Sequence, residues 1–501
     1  PGAGHGGIGG GDRRGRAGGV TYGSVLEPAD LGSGAAPDNE VPGGAGGGAI
    51  RLIVAGRLEL DGVISANGQT GGQEAGGGSG GSVWVTAKEL AGNGRFEAVG
   101  GNVSSTYWAG GGGGGRVAVY YEDGSDFTGF TSSTAVGGAG YQRGGTGSVV
   151  FIDTSVNNWH VRVFENVEWG QDSVLHFGAV SLEDGAVWVM GGGSSLTVDG
   201  QLSVDGDSTV WCLGKNTSGL VDGQWAGVGV TITANSVVVA SGSRITADGR
   251  GYTGGYANGP AGNGPGSPAR PDDIAPGAGH GGIGGGDRRG RAGGGTYGSV
   301  YEPTDLGSGG APDQSSAGGA GGGAIRLIAT GQLVLDGLIS ANGSGSGRHE
   351  AGGGSGGSVW LSAGVLTGSG TIEAKGGGAD TYFGGGGGGG RVALWYVDSM
   401  AFPVANVSVQ GGAGYQRGGS GTVYVKDMTP AGPYVVSVDP DEYSKLSSVT
   451  AIRLTLSGPV IGDGARDVAT YSLTHLGVDR KLGGGDDTVL TFTPTYADGS
   501  T

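Results

Sequence analysis

The phrase PGAGHGGIGGGDRRGRAGG begins at Pro1 and begins again at Pro276. The likeness runs on through GGAIRL, LDGxISANG, EAGGGSGGSVW, GGGGGGRVA and GGAGYQRGG to about Asp427, its offset shifting by one residue either way. Self-similarity at fixed spacing marks arrayed units that bury their apolar faces against one another. A period of about 275 residues is too long for one coil of such an array, so a shorter period must lie inside it.

That period is about 21 residues. It is visible in GAIRLIVAGRLELDGVISANG and GSVWVTAKELAGNGRFEAVGG, and in their later counterparts GAIRLIATGQLVLDGLISANG and GSVWLSAGVLTGSGTIEAKGG. Each unit carries three short alternating runs, such as residues 50–54, 58–60 and 63–65, separated by Gly or Asp-Gly corners too close for a crossover helix. The runs repeat in the same order, not the reflected order of a meander. The pattern predicts an all-β fold, a right-handed parallel β-helix with three strands per coil. SVLHFGAVSLEDGAVWVMGG and the segments after it continue the alternation, with Val, Leu, Ile and Trp inward. Residues 1–153 and 276–428 are then two glycine-rich copies, residues 154–275 the coils between them, and residues 48–428 one elongated domain or two stacked ones.

The chain has 126 glycines in 501 residues without a collagen period. The tracts follow the same strand each time: ISANG, FEAVGG, TAVGG and ITADG each lead into one, the longest starting near Arg250. Stacked in register, they emerge at one corner and lie side by side. Glycine loses more freedom on ordering than any other residue, so loose loops are one outcome. In the other, extended polyproline-II-like strands pack closely enough to exchange backbone hydrogen bonds. Tyr22, Trp108, Tyr141, Tyr297, Phe383 and Tyr415 would then cover the ends or seams of the bundle. The tracts resemble the polyglycine-II packing of snow-flea antifreeze proteins and of phage tail-tip adhesins, a likeness of packing mode that carries no site residues.

GGGSGGSVW, GGGGGGRVA and TADGRGYTGG resemble the glycine-rich repeats of very large secreted bacterial surface proteins with pectin-lyase-like β-helices. From Pro430 glycine thins out, and PYVVSVDPDEYSKLSSVTAIRLTLSGPV gives alternating strands broken by Asp-Pro and Gly-Pro turns. Residues 429–501 resemble bacterial Ig-like domains of S-layer and related surface proteins, here with strands of the sandwich missing, so that the domain is truncated or a partner supplies the edge. The resemblances imply an extracellular, cell-surface location and a structural or adhesive role: a stiff stalk, or a fibre assembled through self-association. A carbohydrate-active or glycan-binding β-helix is the alternative, and ice binding a weaker one.

Catalytic candidates are carboxylate pairs, which glycoside hydrolysis requires: Asp205 and Asp207 in VDGDST, or Glu122, Asp123 and Asp126 in YEDGSD. All sit at glycine-containing corners where Asp is also the ordinary turn residue, and no catalytic assignment is made. His5 with Asp12, Arg13 and Arg14, and His280 with Asp287, Arg288 and Arg289, recur verbatim in the two copies. That recurrence suggests repeated binding or an ion pair tying down a long loop. Asp479, Asp486 and Asp487 in GVDRKLGGGDDT offer hard oxygen ligands for calcium, outside EF-hand spacing. No cofactor is otherwise indicated.

A net charge of −17 argues against a nucleic-acid partner. No apolar run is long enough to span a membrane and no signal peptide opens the chain; the start inside a repeat suggests a fragment. Cys212, in STVWCLG, excludes a disulfide framework and reads as a small buried hydrophobe or a reactive thiol.

Overall fold

A computed structural model describes residues 1–38, 40–269, 273–346 and 350–429, with four short strands beyond. It is nearly all-β, with long parallel-strand sheets consistent with a parallel β-solenoid. Residues 1–427 form one compact unit and residues 428–501 another. The first unit opens with β1 (Ala49–Glu59), β2 (Val63–Ser65), β3 (Ser82–Gly92), β4 (Arg95–Glu97), β5 (Arg116–Tyr121), β6 (Asp123–Phe127) and β7 (Ser148–Asp153). It continues with β8 (His160–Val163), β9 (Asn166–Trp169), β10 (Val174–Phe177), β11 (Ala179–Leu182), β12 (Val187–Met190), β13 (Ser195–Val204) and β14 (Thr209–Cys212). The last are β15 (Val230–Val239), β16 (Arg244–Thr246), β17 (Ala324–Leu335), β18 (Leu338–Ser340), β19 (Ser358–Thr367), β20 (Thr371–Glu373), β21 (Arg391–Met400), β22 (Val407–Ser408) and β23 (Thr422–Asp427).

One sheet runs β1-β3-β5-β7-β8-β11-β13-β15-β17-β19-β21-β23, and a second β22-β20-β18-β16-β14-β12-β9. From β13 to β22 each coil lays one long, bent strand in the first sheet and a short one in the second, whereas the short strands β2 and β4 of the first coils pair in a sheet of their own. On β15 and β17 the bend is the register shift between Ala234 and Val237. Along a strand alternate side chains enter the core, so Val230, Ile232, Ala234, Val237 and Val239 stack on Ile325, Leu327, Ala329, Leu333 and Leu335, all buried.

The ladder has one antiparallel step, β7 to β8, with Ile152 opposite Val161. The chain reverses through Asn158 and Trp159, both at positive φ (58° and 65°), a conformation that is strained for tryptophan. Trp159 packs edge-on against Tyr120 at 5.7 Å. The core changes side of the sheet here. Val117, Val119, Tyr121, Val149 and Phe151 face the core of the first coils, whereas Ala118, Tyr120, Val150, Ile152, Val161 and Val163 face the core of the later ones. Reversing strand direction while coils continue along one axis would invert the hand of winding if the core stayed put. Moving the core to the opposite face keeps the hand constant, as parallel crossovers require. It also explains why every residue of β5 is buried.

The glycine tracts connect the short strands to the next long strand. They are knitted by backbone hydrogen bonds in strict rotation. The N–H groups of Gly76 and Ser79 donate to Ala36 and Ser33, those of Gly77 and Gly80 to Gly110 and Gly113, and those of Gly78 and Gly81 to Gln69 and Ala66, at 2.7–3.2 Å. Residues 352–357 repeat the scheme toward residues 311 and 308, 385 and 388, and 344 and 341. A return to the same neighbour every third residue is a threefold helical repeat. Such spacing leaves no room for side chains: a Cβ on Gly112 would lie 2.0 Å from the Gly78 carbonyl oxygen.

In the second unit Val435–Asp439 pairs antiparallel with Arg453–Leu456, and Leu473–His475 with Thr488–Leu490.

Gly112→Ala should destabilise the full chain by about 1–3 kcal/mol through overpacking against backbone. Gly56→Ala, whose methyl would meet nothing within 4 Å, should stay within about 0.5 kcal/mol. Urea unfolding of the two variants measures the difference.

Candidate functional site

His5 and His280 occupy equivalent nodes where the repeats converge. Both are fully buried. Each ring nitrogen Nδ1 lies 2.8 Å from a glycine carbonyl oxygen, Gly80 for His5 and Gly356 for His280. A carbonyl only accepts, so Nδ1 carries the proton and donates it. Nε2 is left as a buried lone pair without a hydrogen-bond partner among the described residues. The rings pack on Tyr22 and Tyr297 at 4.6 Å. Each tyrosine hydroxyl donates at 2.6 Å, Tyr22 to the Leu31 oxygen and Tyr297 to the Leu306 oxygen. Arg116 and Arg391, nearly buried, donate from Nε to the Tyr22 and Tyr297 carbonyls at 2.9 Å. Burial disfavours the imidazolium most, and the neighbouring guanidinium adds to this; His280 is pushed down to about 4 although its bond to Gly356 opposes the shift. His5 shifts the same way. Each node therefore joins a loop start, a tyrosine turn, a glycine strand and a sheet strand around a neutral histidine.

Asp12 and Asp287 organise the adjoining turn. Asp12 accepts hydrogen bonds from the Arg14 and Arg16 N–H groups at 3.0 Å and from Arg16 Nε at 2.5 Å. Asp287 does so from Arg289 and Arg291 N–H and from Arg291 Nε. Burial alone would raise the Asp12 carboxyl; the bonds from Arg16 outweigh it and hold the group below its usual range. The partner guanidinium is thus Arg16 or Arg291, outside the residues singled out from the sequence. Arg13 instead covers the rings of Tyr107 and Trp108 at 3.9 and 4.7 Å, Arg288 lies over Phe383 at 5.5 Å, and Arg289 pairs with Asp273. Of the six aromatics expected to seal the tracts, Tyr22 and Tyr297 lie in the seam, whereas Tyr141 and Tyr415 remain 47% exposed.

The acidic candidates are scattered. Asp205 accepts from the Gly206 N–H at 2.7 Å and Asp207 sits at φ 61°, a turn. Asp126 pairs with Arg57 at 3.2 Å. Glu122 and Asp123 edge a shallow depression of about 360 Å³ beside the strand reversal, with Tyr121, Phe130, Asp153, His160 and Arg162. Three of its polar side chains, Arg162, His160 and Asp123, already have partners. Arg162 makes two bonds to Glu183 at 2.8 and 2.9 Å and covers Phe130 at 4.3 Å. His160 Nε2 meets Ser181 Oγ at 2.8 Å, and Asp123 caps the Ser125 N–H at 2.9 Å, which holds its carboxyl low.

Sequence reasoning missed Glu165. Burial raises its carboxyl, and Oε1 accepts from Thr134 Oγ1 at 2.7 Å and from the Ala135 N–H at 3.2 Å, tying the last coil before the reversal to the first after it. Glu165 is one of two glutamates in VFENVEW, and nothing in that phrase singles it out. Cys212 is fully buried and its thiol is pushed up to about 12 by burial alone, the state of an inert packing residue. Asp479, Asp486 and Asp487 lie outside the described residues. Among the described residues no group of three or more His, Cys, Asp or Glu is placed to hold a metal ion, and no helix is long and apolar enough to cross a membrane.

Between pH 6.5 and about 4 the unfolded chain binds a proton that folded His280 refuses, so stability falls with falling pH across that window, by about 3 kcal/mol for this residue. His280→Asn, which keeps a donor near Gly356, should flatten this slope relative to the wild type in urea unfolding at pH 7, 5.5 and 4.

No family model, curated protein or solved structure matches the chain.

Proposed function

We propose that the chain is a non-enzymatic extracellular structural element. In this reading it is a stretch of right-handed parallel β-helix stiffened by polyglycine-II-type bundles, forming a stalk or self-associating fibre at a bacterial cell surface, with residues 429–501 an Ig-like module. The observation that carries the reading is the threefold rotation of glycine N–H groups among neighbouring tracts, present in both copies. It turns the most flexible residue type into a close-packed lattice, and stiffness is the property such a lattice supplies. The histidine, aspartate and arginine groups that recur with the repeat act on backbone carbonyls and N–H groups, again in both copies. Partners on this reading are further copies or other surface proteins, with glycans as the alternative.

Negative-stain electron microscopy of the full chain across a concentration series should show straight rods that abut end to end into filaments. Isolated particles at every concentration, together with turnover of a polysaccharide panel, would overturn the reading in favour of a carbohydrate-active enzyme.

A further inference from the structure

The duplication supplies an internal control for the start of the strand stack. β1 and β2 in the first copy correspond to β17 and β18 in the second, offset by 275 residues, as Ala49 against Ala324 and Val63 against Leu338 show. β17 is paired on both edges, by β15 and β19, and β18 by β16 and β20. Among the described residues β1 pairs only with β3, and β2 only with β4. Their outer edges are open.

The apolar residues that a covering coil would bury are nonetheless retained. Ile50, Leu52, Leu58, Leu60 and Ile64 match Ile325, Leu327, Leu333, Leu335 and Ile339 residue for residue. In the second copy all five are buried; in the first, all but Leu60 are only partly so. Elsewhere on these strands the copies agree at some positions and differ at others: Arg51 and Ile53 recur as Arg326 and Ile328, whereas Val54, Arg57 and Glu59 stand where the second copy has Ala329, Gln332 and Val334. The five apolar residues that a covering coil would meet are kept, and in the first copy all but Leu60 are left partly exposed.

We propose that the open edge of β1 and β2 is an acceptor for an incoming parallel strand pair of the β15–β16 type, supplied by another segment of polypeptide. The occupant lies in the register that β15 and β16 use on β17 and β18. That register places positions equivalent to Val230, Ile232, Val237 and Val239 on Ile50, Leu52, Leu58 and Leu60, and Ile245 on Ile64. Recognition is β-augmentation: main-chain hydrogen bonds to the free edge supply affinity and the alternation of apolar residues supplies register. A segment with the inverted alternation would turn its polar residues into the core and be refused. The proposal rests on the solenoid reading above, though not on filament formation.

Hydrogen exchange on the full chain tests it, with β17 and β18 as the protected reference in the same molecule. A synthetic peptide spanning residues 230–246 should slow exchange at residues 49–54 and 63–65 by about tenfold or more near saturation, while a peptide of inverted apolar pattern should not. To remove dependence on peptide affinity, residues 230–275 are duplicated ahead of Pro1, recreating the junction that precedes Pro276 and raising the effective concentration. Protection of β1 and β2 should then rise to that of β17 and β18. Unchanged exchange in the duplicated chain, or equal protection by the inverted peptide, overturns the proposal. Protection at residues 49–54 that grows with protein concentration in the absence of peptide overturns the proposed occupant and assigns the edge to a second copy. Failure to see filaments by microscopy counts against the fibre and leaves the exchange result standing.

Discussion

The structure depends on where the backbone N–H groups of the glycine tracts go. A chain with 126 glycines faces a large entropic cost of ordering, and these tracts have no side chains to bury against it. What offsets the cost is extensive hydrogen bonding by the backbone itself. Successive N–H groups point to three different neighbours, and the neighbours approach so closely that a methyl group on Gly353 would sit 2.1 Å from the Gly377 oxygen. Each bond contributes modestly on its own. The gain lies in the alternative avoided, since an unpaired N–H in so tight a bundle would carry its full desolvation penalty.

The lattice in turn needs its ends fixed in position, and the sheets do that. Each tract leaves a short strand and enters a long one, so the regular spacing of stacked strands sets the spacing at which tracts lie side by side. The His5 and His280 nodes then couple the two systems, holding a glycine-strand carbonyl on one ring nitrogen while Arg116 and Arg391 reach from the sheet to the adjoining tyrosine turn. Burying a neutral imidazole with one nitrogen unsatisfied is unfavourable. Its recurrence in both copies indicates that the geometry of the junction outweighs that loss.

Much of this was legible in the residues because it follows from period. The repeated segments of about 21 residues pointed to parallel stacking, since runs repeated in the same order cannot form a meander. A coil of the glycine-rich copies, however, includes its tract and is longer, Ala49 pairing with Ser82 and Ser82 with Arg116. The common point of departure of the tracts followed from their common preceding strand. What was not legible was the reversal between β7 and β8. SVVFID and HVRV read as two more alternating runs, and strand direction leaves no trace in alternation. The hint was burial on both faces: SVVFID has apolar residues at consecutive positions, the pattern of a strand between two cores. The turn partners were misread for a related reason. In DRRGR, all three arginines are chemically competent, and only the left-handed turn at Gly15 (φ 79°) decides that Arg16 returns to Asp12 while Arg13 lies over Tyr107 and Trp108.

That reversal also bears on how such an array can grow. Along most of the stack each strand receives a parallel neighbour, and any coil with the right alternation can follow another. At β7 the next strand is antiparallel and the core lies on the other side, so the coil that follows must bring Val161 and Val163 to a new core while Arg162 turns back toward the old one. A coil lacking a cation at that position would leave the rings of Phe130 and Phe164 and the carboxylate of Glu183 without the group that now lies between them. The junction therefore selects its sequence far more narrowly than the ordinary coils do. A duplicated array of this kind has freedom to change its number of parallel coils and little freedom to change its turning point.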